Sequence, residues 1–99
     1  MAFMVCINWP GVTVEEYEQL RETIGWDVSK PQGGILHAAG FAEDGLRVTD
    51  VWETPADFQR FSDEQLMPAI LAAGFEVKEP QIEVVPLHAL LLQNVAAYT

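Results

Sequence analysis

The spacing of apolar and polar positions divides the chain into six regular elements. Residues 3–9 (FMVCINW) form a short apolar run rich in strand-favouring side chains, and Pro10-Gly11 stops it. From Thr13 the period becomes helical. Val14, Tyr17, Leu20 and Ile24 make one stripe, with Glu15, Glu18, Gln19 and Glu22 on the other side. Thr13 and Glu16 have the spacing of a capping box, and Val12 and Tyr17 that of a hydrophobic staple. Gly25 is placed to end this helix.

Residues 25–34 (GWDVSKPQGG) read as an irregular loop. Residues 35–42 and 46–53 then read as two strands joined at Glu43-Asp44-Gly45, where Asp-Gly between apolar runs signals a hairpin. Thr54 caps a second helix, with Pro55 at its first position and Asp57 as capping partner. Phe58, Phe61, Leu66, Ile70 and Leu71 supply its apolar stripe, and Pro68 predicts a break around residues 62–65. Gly74 closes it, with Phe75 folding back on Ile70. The last strand is expected over residues 81–92, with Pro86 at an edge or bulge.

The order strand–helix–strand–strand–helix–strand predicts a ferredoxin-like α+β fold with an antiparallel four-stranded sheet, as one domain over residues 1–99. Both helices cover one sheet face, so the other should alternate with polar residues. It does not. Phe3, Val5, Ile7 and Trp9 are opposed by Met4 and Cys6; Leu36 and Ala38 alternate with Ile35, Ala39 and Phe41; Val84 and Leu90 alternate with Val85, Leu87 and Leu91. Both faces need cover, and a second copy is the simplest one. The expected assembly is a homodimer whose two sheets face each other as an α/β barrel. Such an interior is either a mostly apolar small-molecule pocket or a barrel filled with side chains.

Composition narrows the function classes. The 99 residues are 49% apolar and 20% charged, which is globular. Fifteen acids against five bases give a net charge of −10, which nucleic acid and anionic membranes would repel. Cys6 is the single cysteine, so there is no internal disulfide or cysteine zinc cluster; it reads as a small hydrophobe. No spacing suggests a metal site or a phosphate loop, so no cofactor is expected. The start of the chain lacks a basic leader, and the apolar run 87–92 is too short for a membrane span, which makes the cytoplasm the default location.

Four residues carry candidate chemistry. His37 lies mid-strand among apolar residues and is a candidate general base, or else a core histidine bonded to backbone. Asp50 also lies mid-strand, where a carboxylate is costly unless paired. A two-residue turn at Asp44-Gly45 places His37 opposite Trp52 and gathers His37, Asp50 and Trp52 on one face; a bulge at Gly45 separates them. The first is favoured because it collects the polar groups. Arg47 and Thr49 then take the other face. Asn8 is a lone amide in an apolar strand, suited to donate to an oxyanion or to satisfy backbone. Trp52 is a stacking wall or a core anchor. Met4 and Cys6 are expected to line the pocket; His88 has no assignable role.

The element order, Asn8, and above all VWETPADFQRF (51–61) resemble the antibiotic biosynthesis monooxygenase domains of the dimeric α/β barrel superfamily. Trp52-Glu53-Thr54 resembles their Trp-Glu-Ser/Thr turn between the third strand and the second helix. The resemblance spans nearly the whole chain in element order and about ten residues as a motif. It implies a cofactor-independent oxygenase, or a related isomerase or cyclase, acting on a flat apolar molecule. On that resemblance Asn8 and Trp52 would line the cavity; His37 as base and Asp50 as its orienting partner follow from the residues' own placement. Haem-degrading relatives use a histidine in the second helix; residues 54–74 contain none.

Overall fold

The computed structural model describes residues 1–76 and 78–99. Its elements run β1 (Phe3–Pro10), α1 (Val14–Ile24), β2 (Gly34–Ala42), β3 (Gly45–Trp52), α2 (Pro55–Phe61), a π-helical turn (Ser62–Leu66), α3 (Met67–Ala73) and β4 (Gln81–Pro86). The four strands form one antiparallel sheet of order β2-β3-β1-β4. This is the expected ferredoxin-like arrangement.

Local sequence accounts for the helix ends. The Thr13 hydroxyl accepts from Glu16 N while the Glu16 carboxylate accepts from Thr13 N, the expected capping box. Gly25 and Gly74 adopt left-handed conformations that end the helices. Thr54 caps α2 by accepting from Asp57 N, and its hydroxyl donates to Asp57 Oδ2. The expected interruption before Pro68 is the π turn, which Phe61 and Met67 flank in right-handed helical conformation.

The core lies between the helices and one sheet face. β1 contributes Val5, Ile7 and Trp9; β3 contributes Leu46, Val48 and Trp52; the helices add Tyr17, Leu20, Phe58, Phe61, Ala69 and Ile70. Each large side chain buried this way is worth about 1.5–3 kcal/mol against exposure.

Three expectations are corrected. Val14 and Leu71 are exposed, at 51% and 78%. Val14 falls about 60° round the helix from Tyr17, and Leu71 about 100° round from the buried Ile70, so neither turns to the sheet. The last strand stops at Pro86 rather than Leu92. Pro86 already pairs with Phe3, the first residue of β1, so later residues have no neighbour left to pair with. Leu87 N still donates to Ala2 O; Leu90, Leu91 and Leu92 lie exposed.

The hairpin is also corrected. Its two-residue turn is Glu43-Asp44, and Ala42 pairs with Gly45. Gly45 is needed in the ladder instead of the turn. It has φ 146°, and a Cβ there would lie 2.5 Å from the Trp9 carbonyl oxygen of the neighbouring strand. His37 consequently pairs with Asp50, not Trp52. The slip is by two positions, so the faces are as expected.

Candidate active site

β2 and β3 bring His37 and Asp50 side by side on the helix-covered face, and Trp52 follows Asp50 on the same face. Asp50 is buried, at 5% exposure. A carboxylate there needs partners, and it has two. His37 Nδ1 donates to Asp50 Oδ1 at 2.6 Å, and Trp52 Nε1 donates to Asp50 Oδ2 at 3.1 Å.

The far side of the imidazole meets α1. Tyr17 Oη lies 2.7 Å from His37 Nε2. Burial, above all, pushes the Tyr17 phenol up to about 12, with smaller effects from nearby charges that include Asp50. The phenol therefore keeps its proton at neutral pH. A carboxylate has no hydrogen to give, so in the neutral imidazole Nδ1 carries the proton and Nε2 is bare. Tyr17 then donates to Nε2. The result is one continuous chain of hydrogen bonds, from Tyr17 through His37 to Asp50, with Trp52 closing it.

Aromatic rings enclose the chain. Trp26 lies 5.0 Å from the His37 ring and 5.8 Å from that of Tyr17, and Phe41 meets Tyr17 edge-on. Trp52 packs on Phe58 and Phe61 and is 4% exposed, which makes it an anchor holding Asp50 more than a wall open to a ligand. The His37 side chain remains 34% exposed, on edge strand β2. Beyond Phe61 a cleft of about 290 Å³ opens between Pro31-Gln32 and the second helix, bordered by Asp57, Arg60, Glu64 and Gln65.

The structure separates the other candidates from this chain. Val5 pairs with Asp50 and Phe3 with Trp52, so Met4, Cys6 and Asn8 point to the opposite sheet face, beside Val51, Thr49 and Arg47. Asn8 is exposed there and cannot donate to an oxyanion formed at His37; that joint role is withdrawn. Met4 and Cys6 likewise do not line a cavity with Trp52. The expectation of a site between two facing sheets is corrected too, since His37, Asp50 and Trp52 face the helices. Arg47 pairs with Asp44 at the strand end, and His88 is exposed beyond β4.

Sequence reasoning missed Tyr17 and Trp26 as site residues. Tyr17 was legible as a core position of α1, but only the docking of α1 against β2 reveals its meeting with His37. Trp26 lies in the loop after α1, where no periodicity gives a direction.

No protein-family model matches the chain, and no curated protein matches it in sequence. Solved structures do match its fold. A conserved protein from Methanosarcina mazei is 17% identical with TM-score 0.64, over 86% of this chain and 91% of that one. The cofactor-independent oxygenase SnoaB from Streptomyces nogalater, in a mutant form, is 12% identical with TM-score 0.61, over 93% and 97%. The Streptomyces coelicolor monooxygenase ActVA-Orf6, solved with nanaomycin D, is 12% identical with TM-score 0.57, over 93% and 92%. Among the described residues no helix is long and apolar enough to cross a membrane. The chain has the fold of the antibiotic biosynthesis monooxygenases.

Proposed function

We propose that the chain is a cofactor-independent oxygenase, or an isomerase or cyclase using the same proton abstraction, acting on a flat apolar molecule with an acidic C–H bond. The observation that carries this reading is the Tyr17–His37–Asp50 chain. It orients a histidine whose side chain is one-third exposed, beside the half-buried Trp26, on a fold shared with a cofactor-independent oxygenase. Asp50 fixes the imidazole and balances its charge once it takes a proton. Trp26 takes the stacking role that the sequence suggests for Trp52. Dioxygen is the oxidant: with anthrone as substrate, one O₂ converts the methylene to a carbonyl and leaves as one oxygen in the product and one in water.

The working form we propose is a homodimer. Met4, Cys6, Leu36 and Val85 lie partly buried around the buried Val51 on the sheet face that no helix covers, and Leu90–Leu92 add exposed apolar surface.

The test is oxygen uptake and anthraquinone formation with anthrone, for the wild type and His37→Ala. Uptake that depends on His37 supports the reading; equal rates for both, or none for either, overturn it. One observation favours a second reading, a non-catalytic binding or structural dimer. Among the described residues no buried side-chain nitrogen or oxygen lacks a partner, so the chain of hydrogen bonds is satisfied without a ligand. In that case His37→Ala loses stability and no turnover.

A further inference from the structure

We propose that two copies hold each other through the segment after β4: residues 87–93 of each lie along the free edge of β2 in the other and wall the His37 side chain. This rests on the homodimer proposed above and names the segments through which it closes.

The sheet has two edges, β2 and β4, and each offers unpaired backbone N–H and C=O groups. The two are not alike. β4 is six residues long, with Glu83 inside it and Pro86 at its end, which blunt it against another strand. β2 is nine residues long and contains no proline and no acid, and every residue in it except Leu36 is exposed. It has none of the usual guards of a free edge.

Charge and exposure identify the occupant. Two copies of a chain with net charge −10 repel wherever their acids meet, so they approach best through uncharged stretches. Residues 31–42 and 84–99 contain no Asp, Glu, Lys or Arg. The second stretch carries apolar surface that the fold leaves uncovered: Leu91 is 82% exposed, Leu92 56% and Tyr98 89%. Among the described residues, one backbone hydrogen bond ties it to the sheet, from Leu87 N to Ala2 O. Its own β2 is at the far edge, since Pro86 is level with Gly34 through Phe3 and Trp52, three strand spacings or about 14 Å away. A second copy presents the same edge without that detour, and seven extended residues span about 23 Å, most of the length of β2. The exchange is reciprocal, each copy giving one segment and receiving one, as a two-fold dimer requires. His37 lies on β2 with its side chain 34% exposed, and the incoming segment closes that side. The site is then complete only in the dimer.

Leu91→Ser and Leu71→Ser test this by sedimentation. Each removes a leucine that is mostly exposed in one copy, so neither disturbs the fold of that copy. Leu91→Ser is expected to weaken association about tenfold or more, and Leu71→Ser, on α3, to leave it unchanged. A chain ending at Leu87 keeps β4 and the bond to Ala2. In it the β2 amides that face away from β3 are expected to exchange with deuterated water about tenfold faster than in the full chain, with β1 and β3 as protected as before. Isotope-filtered NMR on mixed labelled and unlabelled copies is expected to show contacts between the leucine methyls of residues 90–92 and β2 across copies. Equal effects of the two leucine substitutions, unchanged exchange in the shortened chain, or contacts confined to one copy overturn the proposal. A shortened chain that dimerises as tightly as the full one overturns the exchange alone. A full chain that stays monomeric at micromolar concentration overturns the homodimer with it.

Discussion

The imidazole of His37 and the indole of Trp52 hold opposite oxygens of one buried carboxylate, that of Asp50. The strand that carries the carboxylate also carries the indole two positions on, so the fold positions the pair through a single stretch of backbone. Asp50→Asn replaces one acceptor oxygen by an amide that donates. One of the two N–H groups then faces another donor inside the core. The expected loss is about 1–3 kcal/mol, read by urea unfolding, and Asp50→Ala should lose at least as much.

Tyr17 links the site to alkaline stability. Its folded-state pKa is raised to about 12, above the ordinary value of 10.0. Its contribution is therefore whole below the ordinary value and is lost as pH rises through the folded one. Tyrosinate absorbance should show a step near pH 12 that Tyr17→Phe removes, and alkaline unfolding of that variant should lose this component.

Asp57 behaves in the opposite sense. The Thr54 hydroxyl, followed by Arg60, holds its carboxyl below the ordinary range. Its contribution is whole above the ordinary carboxylate value and drains away as pH falls through the folded one. Acid unfolding of Arg60→Ala should begin at higher pH than wild type. Thr54→Ala, which removes the helix cap, should cost about 1 kcal/mol at neutral pH by thermal or chemical unfolding.

Gly45 is expected to resist any side chain. Its φ of 146° and the nearby Trp9 carbonyl leave no room for a Cβ. Gly45→Ala should lose about 1–3 kcal/mol in denaturant unfolding. An unchanged midpoint would mean that the β1–β3 ladder can shift to make room.

The proposed dimer makes its own prediction. Leu36 lies partly buried on the sheet face away from the helices, paired with the buried Val51. Leu36→Glu places a carboxylate from each copy in that interface and should weaken association more than tenfold (about 1.4 kcal/mol), read by sedimentation. A wild type that sediments as a monomer at micromolar concentration sinks the dimer.

The sequence predicted the elements and failed where contacts between them decide. Caps and the interrupted second helix follow from neighbours a few residues apart, so Thr13, Thr54, Gly74 and Pro68 were readable. The shared face of His37, Asp50 and Trp52 was readable as well, since strand parity survives a two-position slip of the hairpin. The register itself was not, because the demand on Gly45 comes from Trp9, thirty-six positions earlier. Asn8 was misplaced for a similar reason. Its own alternation set it with Met4 and Cys6, but only the β1–β3 register shows that this is the face away from His37. Tyr17 required the packing of α1 on β2.

The π turn at Ser62–Leu66 has a bearing on how this chain tolerates changes of length. A π turn holds one residue more than an α turn, with the surplus taken up by local widening. Losing one residue there restores an ordinary α-helical turn and leaves Ala69 and Ile70 facing the core. The same deletion inside α1 would rotate every later position by about 100° and turn Leu20 away from the sheet. Homologues shorter by a single residue are thus expected to carry the gap within 62–66, and a deletion scan of this protein should find its one permissive helical site there.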